Sequence, residues 1–304
     1  MQASTETGDL TALGADVEWP DSDAATAMQQ ALAASSHELG RLGELAEWVA
    51  GVQGRCPPRD FARIRTIVFG ASVTGEGCGS LAAIEELDRS GVRPVPQREG
   101  SISEAFVAGA ALADEEVDTG ADLLIVALLG PDAATPVLAL VSVLTNTEPV
   151  KVLTRGAGLA PEVWMQRAVT VRDARRRGMA HRAQPARLLE ELGTVDVAAA
   201  AAFLLRAAAR RTPVLLDGLP ATTAALAAYE AQPRAVRWWH CADLSAEPAH
   251  DVAMTKLGQR SVLDLGTGLG DGTAGLLAAL VLRAAIGTVA ELAVPAELTA
   301  DPAG

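Results

Sequence analysis

Short apolar runs, each followed by a stretch rich in alanine and leucine, recur along this chain. Residues 66–70 (TIVFG) and 123–127 (LLIVA) indicate buried strands, and residues 137–144 after the second run indicate a helix. Further strands are predicted at residues 150–153, 213–216, 238–239 and 261–265, with a helix over 273–285. Strands that alternate with helices predict an α/β fold, namely a Rossmann-like parallel sheet covered by helices on both faces, with ligands beyond the carboxyl ends of the strands.

The composition fits such a sheet and excludes one class of partner. Although 49% of the residues are hydrophobic, only 3% are aromatic, so alanine, leucine and valine must fill the core. Small side chains suit helices that pack closely on a parallel sheet. The net charge of −13 repels phosphate backbones, so we expect no nucleic-acid partner.

The cysteines and the apolar runs bear on location. Cys56, Cys78 and Cys241 have no CxxC spacing and form no even set, which argues against a disulfide framework or a zinc site. Residues 1–19 do not resemble a secretory signal, and the longest apolar run, residues 197–205, is too short to span a bilayer. We therefore expect a cytoplasmic protein with no membrane, metal or cofactor partner.

The sequence also predicts how the chain divides into domains. Apolar residues recur at helical spacing over residues 21–54, with a break near Ser35, which predicts two amphipathic helices. The resulting division is a loose leader over residues 1–20, a small helical subdomain over 21–60 joined by C-terminal helices over 286–298, and an α/β core over 61–285.

A glycine-rich loop, LDLGTGLGDGTAG (263–275), links the last predicted strand to the helix that follows. Its backbone amides could approach an anion at the helix N-terminus, which makes Gly266, Gly270, Asp271 and Gly272 candidates for phosphate binding. GxGxG strings are common, however, and this one lacks the opening βαβ unit of a dinucleotide fingerprint. A tight turn with a purely structural role is the alternative.

Two other strand ends carry similar features. Asp217 and Gly218 end a predicted strand before a helix that starts at Pro220. Asp217 could orient a ribose hydroxyl there, or could cap the turn. Gly156 and Gly158 follow residues 150–153, where their amides could approach an anion or form an ordinary loop.

Ionisable side chains mark two further segments. Ser245, Glu247 and His250 lie on the segment SAEPAH, which could bind a sugar or a phosphate. Serine, glutamate and proline in this order also fit the entry to a helix. Glu297 has apolar neighbours, a setting in which a carboxylate can act as a general base, although a glutamate near a C-terminus usually lies on the surface.

Several stretches of the chain occur in an order that is more specific than any single loop. They are VEWPDSDAATAMQQAL, ELGRLGELAEWVAGVQG, ALADEEVDTGADLLI, LTNTEPV, TRGAGL, RRTPVLLDGLPATTAAL, LSAEPAH, LDLGTGLGDGTAG and AELAVPAE. In register and order, from about Val17 to Glu297, the chain resembles the nicotinate-nucleotide:dimethylbenzimidazole phosphoribosyltransferases.

The resemblance implies a reaction and a set of partners. Phosphoribose would move from nicotinate mononucleotide to a ring nitrogen of 5,6-dimethylbenzimidazole, with inversion at the anomeric carbon, in the assembly of the cobalamin nucleotide loop. Glu297 aligns with the general base of the family, and a glycine-rich site would hold the phosphate. The resemblance also implies a homodimer whose small domains help to close the active site.

The chain departs from the family pattern at residues that would bind the substrates. The family's acidic residue and Met-Gly-Ile-Gly-Asn-Thr-Thr phosphate loop are replaced by LLGPDAAT (128–135), which retains only Gly130 and Thr135. Pro131 removes an amide donor, and Asp132 adds a negative charge where phosphate would approach. Arg167 stands in place of a phosphate-binding lysine, which preserves the charge and changes the geometry.

Other departures leave two functional hypotheses open. Ser72-Val73-Thr74 replaces an Asp-His-Gly, Asp243-Leu244 replaces a His-Arg, and a segment that would help to enclose the benzimidazole is missing before residues 77–95. The first hypothesis is a divergent transferase that uses a phosphoribosyl donor and an azole. The alternative is a catalytically impaired paralogue that forms a heteromer with an active homologue or binds a ligand.

Overall fold

A five-stranded parallel sheet lies at the centre of the computed structural model, which describes residues 9–35, 38–71, 91–129, 134–154, 160–192 and 195–290. The strands are β1 (Ile64–Phe69), β2 (Gly91–Val95), β3 (Leu123–Leu128), β4 (Val214–Asp217) and β5 (Trp239–Cys241), in the order β2-β1-β3-β4-β5. Two further strands, β6 (Asp243–Ser245) and β7 (Leu263–Gly266), pair in parallel as a separate small sheet. The predicted α/β fold with a parallel sheet is confirmed.

Helices flank this sheet on both sides. In chain order the described helices are α1 (Leu10–Leu13), α2 (Ser22–Ala34), α3 (Arg41–Gln53), α4 (Ile102–Asp118), α5 (Ala134–Leu144), α6 (Pro149–Val152), α7 (Pro161–Gly178), α8 (Pro185–Leu192), α9 (Val195–Ala209), α10 (Gly218–Ala231), α11 (Pro248–Leu257) and α12 (Thr273–Val289). Short 3-10 turns cover Met179–His181 and Pro233–Trp238.

Both faces of the sheet are buried, because alternate side chains of each strand belong to different hydrophobic clusters. Leu124 and Val126 of β3 share one cluster with α4 and α9, in which the rings of Phe69 and Phe203 meet edge to face with centroids 5.9 Å apart. Leu123 of β3 belongs to the opposite cluster, which includes residues of α2, α3 and α12. Burial on both faces explains the uninterrupted apolar sequence of β3.

The strand predicted over residues 150–153 is wrong, since these residues lie mostly in α6. Pro149 occupies the first position of α6, and Glu148 precedes it as the N-cap. Proline is well suited to this position because its fixed φ matches the helix and no amide is needed there. The β-branched Val150 and Val152 favoured a strand, but such a preference is weak over four residues.

Residues 9–20 also differ from the expected loose leader. Asp9 caps α1, and both Leu10 and Val17 are only 1% exposed. These two side chains join the large cluster that contains α9 and α10. The segment is polar on average, and its packing depends on two apolar residues that an average does not reveal.

The two helices predicted over residues 21–54 are α2 and α3. They share a buried cluster with α12 and one face of the sheet. The subdomain boundaries at residues 60 and 286 stay a prediction, and residues 291–304 lie outside the described part of the chain. Within the described ranges, no helix combines the length and the apolar character needed to cross a membrane.

We expect Gly109→Ala to lower the free energy of unfolding by about 1–3 kcal/mol, as overpacking does in other cores. At Gly109, α4 crosses α9 so closely that an added methyl group would overlap the carbonyl of Ala199. Gly287→Ala is the matched control, because this exposed position in α12 has open space around it. The control should be neutral or stabilising by up to ~1 kcal/mol, since alanine favours a helix. Urea denaturation measures both variants, and equal stabilities would contradict the close crossing.

Candidate functional site

A cavity of about 350 Å³ lies at the carboxyl ends of β3, β4, β6 and β7. This edge of a parallel sheet is where ligands bind in folds of this kind, and the volume falls in the range of small-molecule sites. Its walls come from the strand ends, from the loop after β7 and from α5, α7 and α10. The lining combines aliphatic side chains with polar groups.

Aliphatic side chains form the apolar lining of the cavity. They are Leu128, Val137, Leu138, Leu153, Leu219 and Leu269. Leu269 is 54% exposed although it is large and apolar, so the loop after β7 presents an uncovered hydrophobic surface beside the cavity. This lining suits a planar aromatic ring better than a charged group.

Among the described residues, the polar lining contains one cation and several oxygen atoms. Arg167 of α7 is exposed and, among the described residues, forms no ion pair with an acidic side chain. Thr154 donates a hydrogen bond from its hydroxyl to the carboxylate of Glu247, and both residues line the cavity. An arginine without a carboxylate partner is available to bind an anionic ligand.

The N-terminus of α10 also lines the cavity through Gly218, Leu219 and Pro220. Gly218 has a φ of +79°, a left-handed conformation that favours glycine. A methyl group on Gly218 would lie 3.2 Å from the Cα of Gly270, so the turn after β4 and the glycine loop are in close contact. The positive end of the α10 dipole therefore faces the same space as Arg167.

The N-terminus of α12 does not offer a free anion site, because carboxylates of the chain already occupy it. The amide of Gly275 donates to Asp217 Oδ2 at 2.9 Å, and the amide of Thr273 donates to Asp271 Oδ1 at 2.9 Å. Asp217 and Asp271 are only 2% and 3% exposed. Asp217 and Asp271 therefore accept hydrogen bonds from amides in the first turn of α12. The side chain of Asp217 forms no capping hydrogen bond at its own helix, α10.

Asp217 titrates abnormally as a result. Burial is the main cause that raises the pKa of Asp217 to about 6, and the nearby charges of Asp271 and Asp243 act in the same direction. The hydrogen bonds from the amides of Gly275 and Ala274 act in the opposite direction. At neutral pH the carboxyl is mainly ionised and caps the helix as an anion.

Asp243 determines the course of the glycine loop, a role that the sequence did not reveal. Its carboxylate accepts hydrogen bonds from the amide of Leu265 at 2.7 Å, the amide of Thr267 at 2.8 Å and the hydroxyl of Thr267 at 2.6 Å. These contacts hold Thr267 against the cavity. Asp243 therefore stabilises the backbone of the glycine loop beside the cavity.

A second unpredicted arrangement lies behind the cavity. His250 is fully buried, and its Nδ1 accepts a hydrogen bond from the amide of Ser245 at 3.2 Å. The Nε2 of His250 lies 3.0 Å from the hydroxyl of Thr222, which donates to the carbonyl of Gly218 at 3.0 Å. His250 thus connects the end of β6 to the N-terminus of α10. The motif SAEPAH predicted a ligand contact and not this internal connection.

The structure brings together some of the predicted site residues and separates others. Those that line the cavity are Arg167, Gly218, Ser245, Glu247 and Gly270. Thr135 lies instead in a neighbouring cleft with Gln166 and Arg177. Those that are buried or lie beside the cavity without lining it are Asp217, Gly266, Asp271 and Gly272. Those outside the described residues are Gly130, Gly156, Gly158 and Glu297.

We expect Asp217→Asn to remove a pH dependence from the stability of the protein. The pKa of the Asp217 carboxyl is about 6 in the folded protein and near 3.8 in the unfolded chain. Between these two pH values the folded protein keeps a proton that the unfolded chain has lost. The contribution of Asp217 to the free energy of unfolding is therefore largest below pH ~4 and falls as the pH rises to ~6. As the pH rises from ~4 to ~6, the free energy of unfolding of the variant should increase relative to that of the wild type by on the order of 1–3 kcal/mol.

Urea titrations at several pH values measure this difference. Burial lowers the pKa of His250 to about 4, so His250 makes the stability rise with pH up to the unfolded value of 6.5. This opposing effect is present in both proteins and cancels in their difference. A difference that does not change between pH ~4 and ~6 would contradict the raised pKa of Asp217.

Comparisons with known proteins extend over nearly the whole chain. A family model described as phosphoribosyltransferase matches residues 98–298. Relatives named nicotinate-nucleotide–dimethylbenzimidazole phosphoribosyltransferase include one from Mycobacterium ulcerans, 37% identical over 90% of this chain and 90% of the relative, and one from Mycobacterium avium, 37% identical over 92% and 95%.

A crystal structure of the enzyme of that name from Thermus thermophilus has the same fold. The two structures superpose with a TM-score of 0.78 at 23% sequence identity, and the superposition covers 90% of this chain and 97% of the Thermus chain. The fold, the family model and the relatives agree over both halves of the molecule. The chain belongs to the nicotinate-nucleotide–dimethylbenzimidazole phosphoribosyltransferase family.

Proposed function

We propose that this protein transfers phosphoribose from nicotinate mononucleotide to an azole base such as 5,6-dimethylbenzimidazole, in the assembly of the cobalamin nucleotide loop. The observation that carries the proposal is the 37% identity to transferases of this name over 90% of the chain. The cavity at the carboxyl edge of the sheet supports it, because aliphatic side chains and the guanidinium of Arg167 in its lining match a substrate with a ring and a phosphate.

The reaction asks little of the protein beyond position and charge. A ring nitrogen of the azole attacks the anomeric carbon, the bond from that carbon to the pyridinium nitrogen breaks, and nicotinate leaves as a neutral pyridine. The azole proton passes to a carboxylate, a role that we assign to Glu297 because it aligns with the family's general base. Holding both substrates in line supplies much of the rate.

Arg167 and the N-terminus of α10 are the groups that we assign to the donor's phosphate. Both line the cavity and provide positive charge, and Arg167 has no carboxylate partner among the described residues. Ser245, Glu247 and Gly270 also line the cavity and would contact the ribose. Gly130, Gly156 and Gly158 stay proposed contacts from loops outside the described residues.

The proposal includes an assembly and a location. The family resemblance supports a homodimer in which small domains help to close the site, with a heteromer formed by a homologue as the other form. The cysteine usage and the charge support a cytoplasmic protein. Light scattering coupled to gel filtration gives the molecular mass that distinguishes a dimer from a monomer.

The proposed function is tested by incubation with nicotinate mononucleotide and 5,6-dimethylbenzimidazole. Chromatography should show free nicotinate and the ribosylated azole phosphate forming in equal amounts. A panel of other azoles and of purines then determines the acceptor. If the folded protein releases no nicotinate with any acceptor, the transferase proposal is wrong.

We expect Glu297→Gln to lower kcat by about 10²- to 10⁴-fold with little change in the KM for nicotinate mononucleotide. The amide cannot take the azole proton, whereas the shape of the side chain is kept. Glu291→Gln, six residues earlier in the chain, is the matched control and should retain activity. Steady-state kinetics measure all three proteins, and equal loss in both variants would argue against a specific base.

We expect Arg167→Ala to raise the KM for nicotinate mononucleotide by roughly tenfold or more, since a charge-assisted hydrogen bond to phosphate is lost. Arg167→Lys should recover part of this loss because it restores the charge. The control is Arg176→Ala, an exposed arginine on the same helix α7. A KM unchanged in Arg167→Ala would exclude Arg167 from the donor site.

A further inference from the structure

Ser245 and Gly218 line two walls of the cavity and are joined behind it by buried side chains. The connection runs from Ser245 through His250 and Thr222 to the carbonyl of Gly218. His250 and Thr222 are both 0% exposed, so neither can contact a ligand directly. Any effect of these two residues on the reaction must pass through Ser245 or through the start of α10.

The hydrogen bonds determine which nitrogen of His250 carries the proton. The amide of Ser245 can only donate, so the Nδ1 of His250, 3.2 Å away, must be an acceptor without a proton. The proton of the neutral ring is therefore on Nε2 and is donated to the Thr222 hydroxyl at 3.0 Å. Thr222 remains able to donate its own proton to the Gly218 carbonyl at 3.0 Å.

This tautomer also determines the orientation of the Ser245 hydroxyl. Its Oγ lies 3.0 Å from Nδ1, which has no proton to donate, so the hydroxyl is the donor and shares the single lone pair of Nδ1 with the Ser245 amide. The lone pairs of Oγ are then left for the cavity. Burial lowers the pKa of His250 to about 4 against the opposing charges of Asp243 and Asp251, which keeps the ring neutral near neutral pH.

We propose that His250 is a positioning residue that orients Ser245 as a hydrogen-bond acceptor towards the cavity, so that Ser245 binds a ribose hydroxyl of the donor nucleotide and not its phosphate. The inference rests on the proposed function, because the ribose belongs to nicotinate mononucleotide. An ionised phosphate presents only acceptors and is repelled by the lone pairs of Oγ, whereas a ribose hydroxyl can donate to them. The donor thus lies with its sugar at Ser245 and its phosphate towards Arg167.

Two substitutions at His250 separate this role from simple packing. The side-chain amide of Asn lies as far from the backbone as Nδ1 of histidine, so Asn can still accept a hydrogen bond from Ser245. The amide of Gln reaches the position of Nε2, so Gln preserves only the hydrogen bond to Thr222. His250→Gln should raise the KM for nicotinate mononucleotide roughly tenfold with kcat within about twofold, and His250→Asn should stay within about threefold of the wild type. Packing alone predicts the reverse order, because Asn leaves the larger void. That reverse order would overturn the proposal.

Donor analogues test the hydroxyl itself. With nicotinate mononucleotide, Ser245→Ala should raise KM roughly tenfold. Either the 2′-deoxy or the 3′-deoxy analogue lacks the hydroxyl that Ser245 binds. With that analogue, Ser245→Ala should change KM by less than about twofold, because the hydrogen bond is already absent and a thermodynamic cycle then gives no further loss. An equal effect of Ser245→Ala on all three donors would overturn the assignment of a ribose hydroxyl.

A measurement without substrate distinguishes failure of this inference from failure of the proposed function. The chain has 4 histidines, so ¹⁵N-histidine spectra of the ligand-free protein, compared with those of His250→Asn, identify the His250 signals. We expect a neutral ring with the proton on Nε2. A proton on Nδ1, or a charged ring near neutral pH, overturns the positioning role even if the protein turns over. A wild type that has the expected tautomer and yet releases no nicotinate contradicts the proposed function instead.

Discussion

The hydrogen bond from the amide of Gly275 to Asp217 joins the end of β4 to the first turn of α12, and the shape of the cavity depends on it. Asp217 is followed at once by Gly218, which contacts the glycine loop at Gly270. The same short segment therefore sets the position of both the α10 N-terminus and the loop after β7. Buried carboxylates hold the backbone around the site, and the amides of α12 that a phosphate would need are already bound.

The larger elements of the fold could be predicted because their sequence signals are local. β3 is buried on both faces and is therefore a continuous apolar run, and β1 ends in a shorter apolar run, Ile67–Phe69. β6 could not be found in this way, since it is the three-residue Asp243–Ser245 with two polar members. It is a strand only because β7, far along the chain, pairs with it. The packing of α1 likewise depends on distant partners.

The same distinction between local and long-range signals applies to the site residues. Ser245, Glu247 and Gly270 could be named from local motifs, and Arg167 from the resemblance to a family pattern. The structure places all four around one cavity. Asp217 and Asp271 were predicted to contact a ligand, and in the structure their carboxylates accept hydrogen bonds from amides of α12. Local sequence does not tell whether a carboxylate faces a ligand or a neighbouring amide. The link from His250 to Thr222, 28 residues away, exists only in three dimensions.

Residues 197–205 of α9 have no exposed side chain, and most of them are alanine. A helix packed so tightly tolerates neither larger side chains nor gaps, so its sequence has little freedom to drift. The glycine-rich loop over residues 263–275 is packed differently, since Leu265 and Leu269 within it are 60% and 54% exposed. A change of side-chain size is therefore accommodated more easily in this loop beside the cavity than within α9.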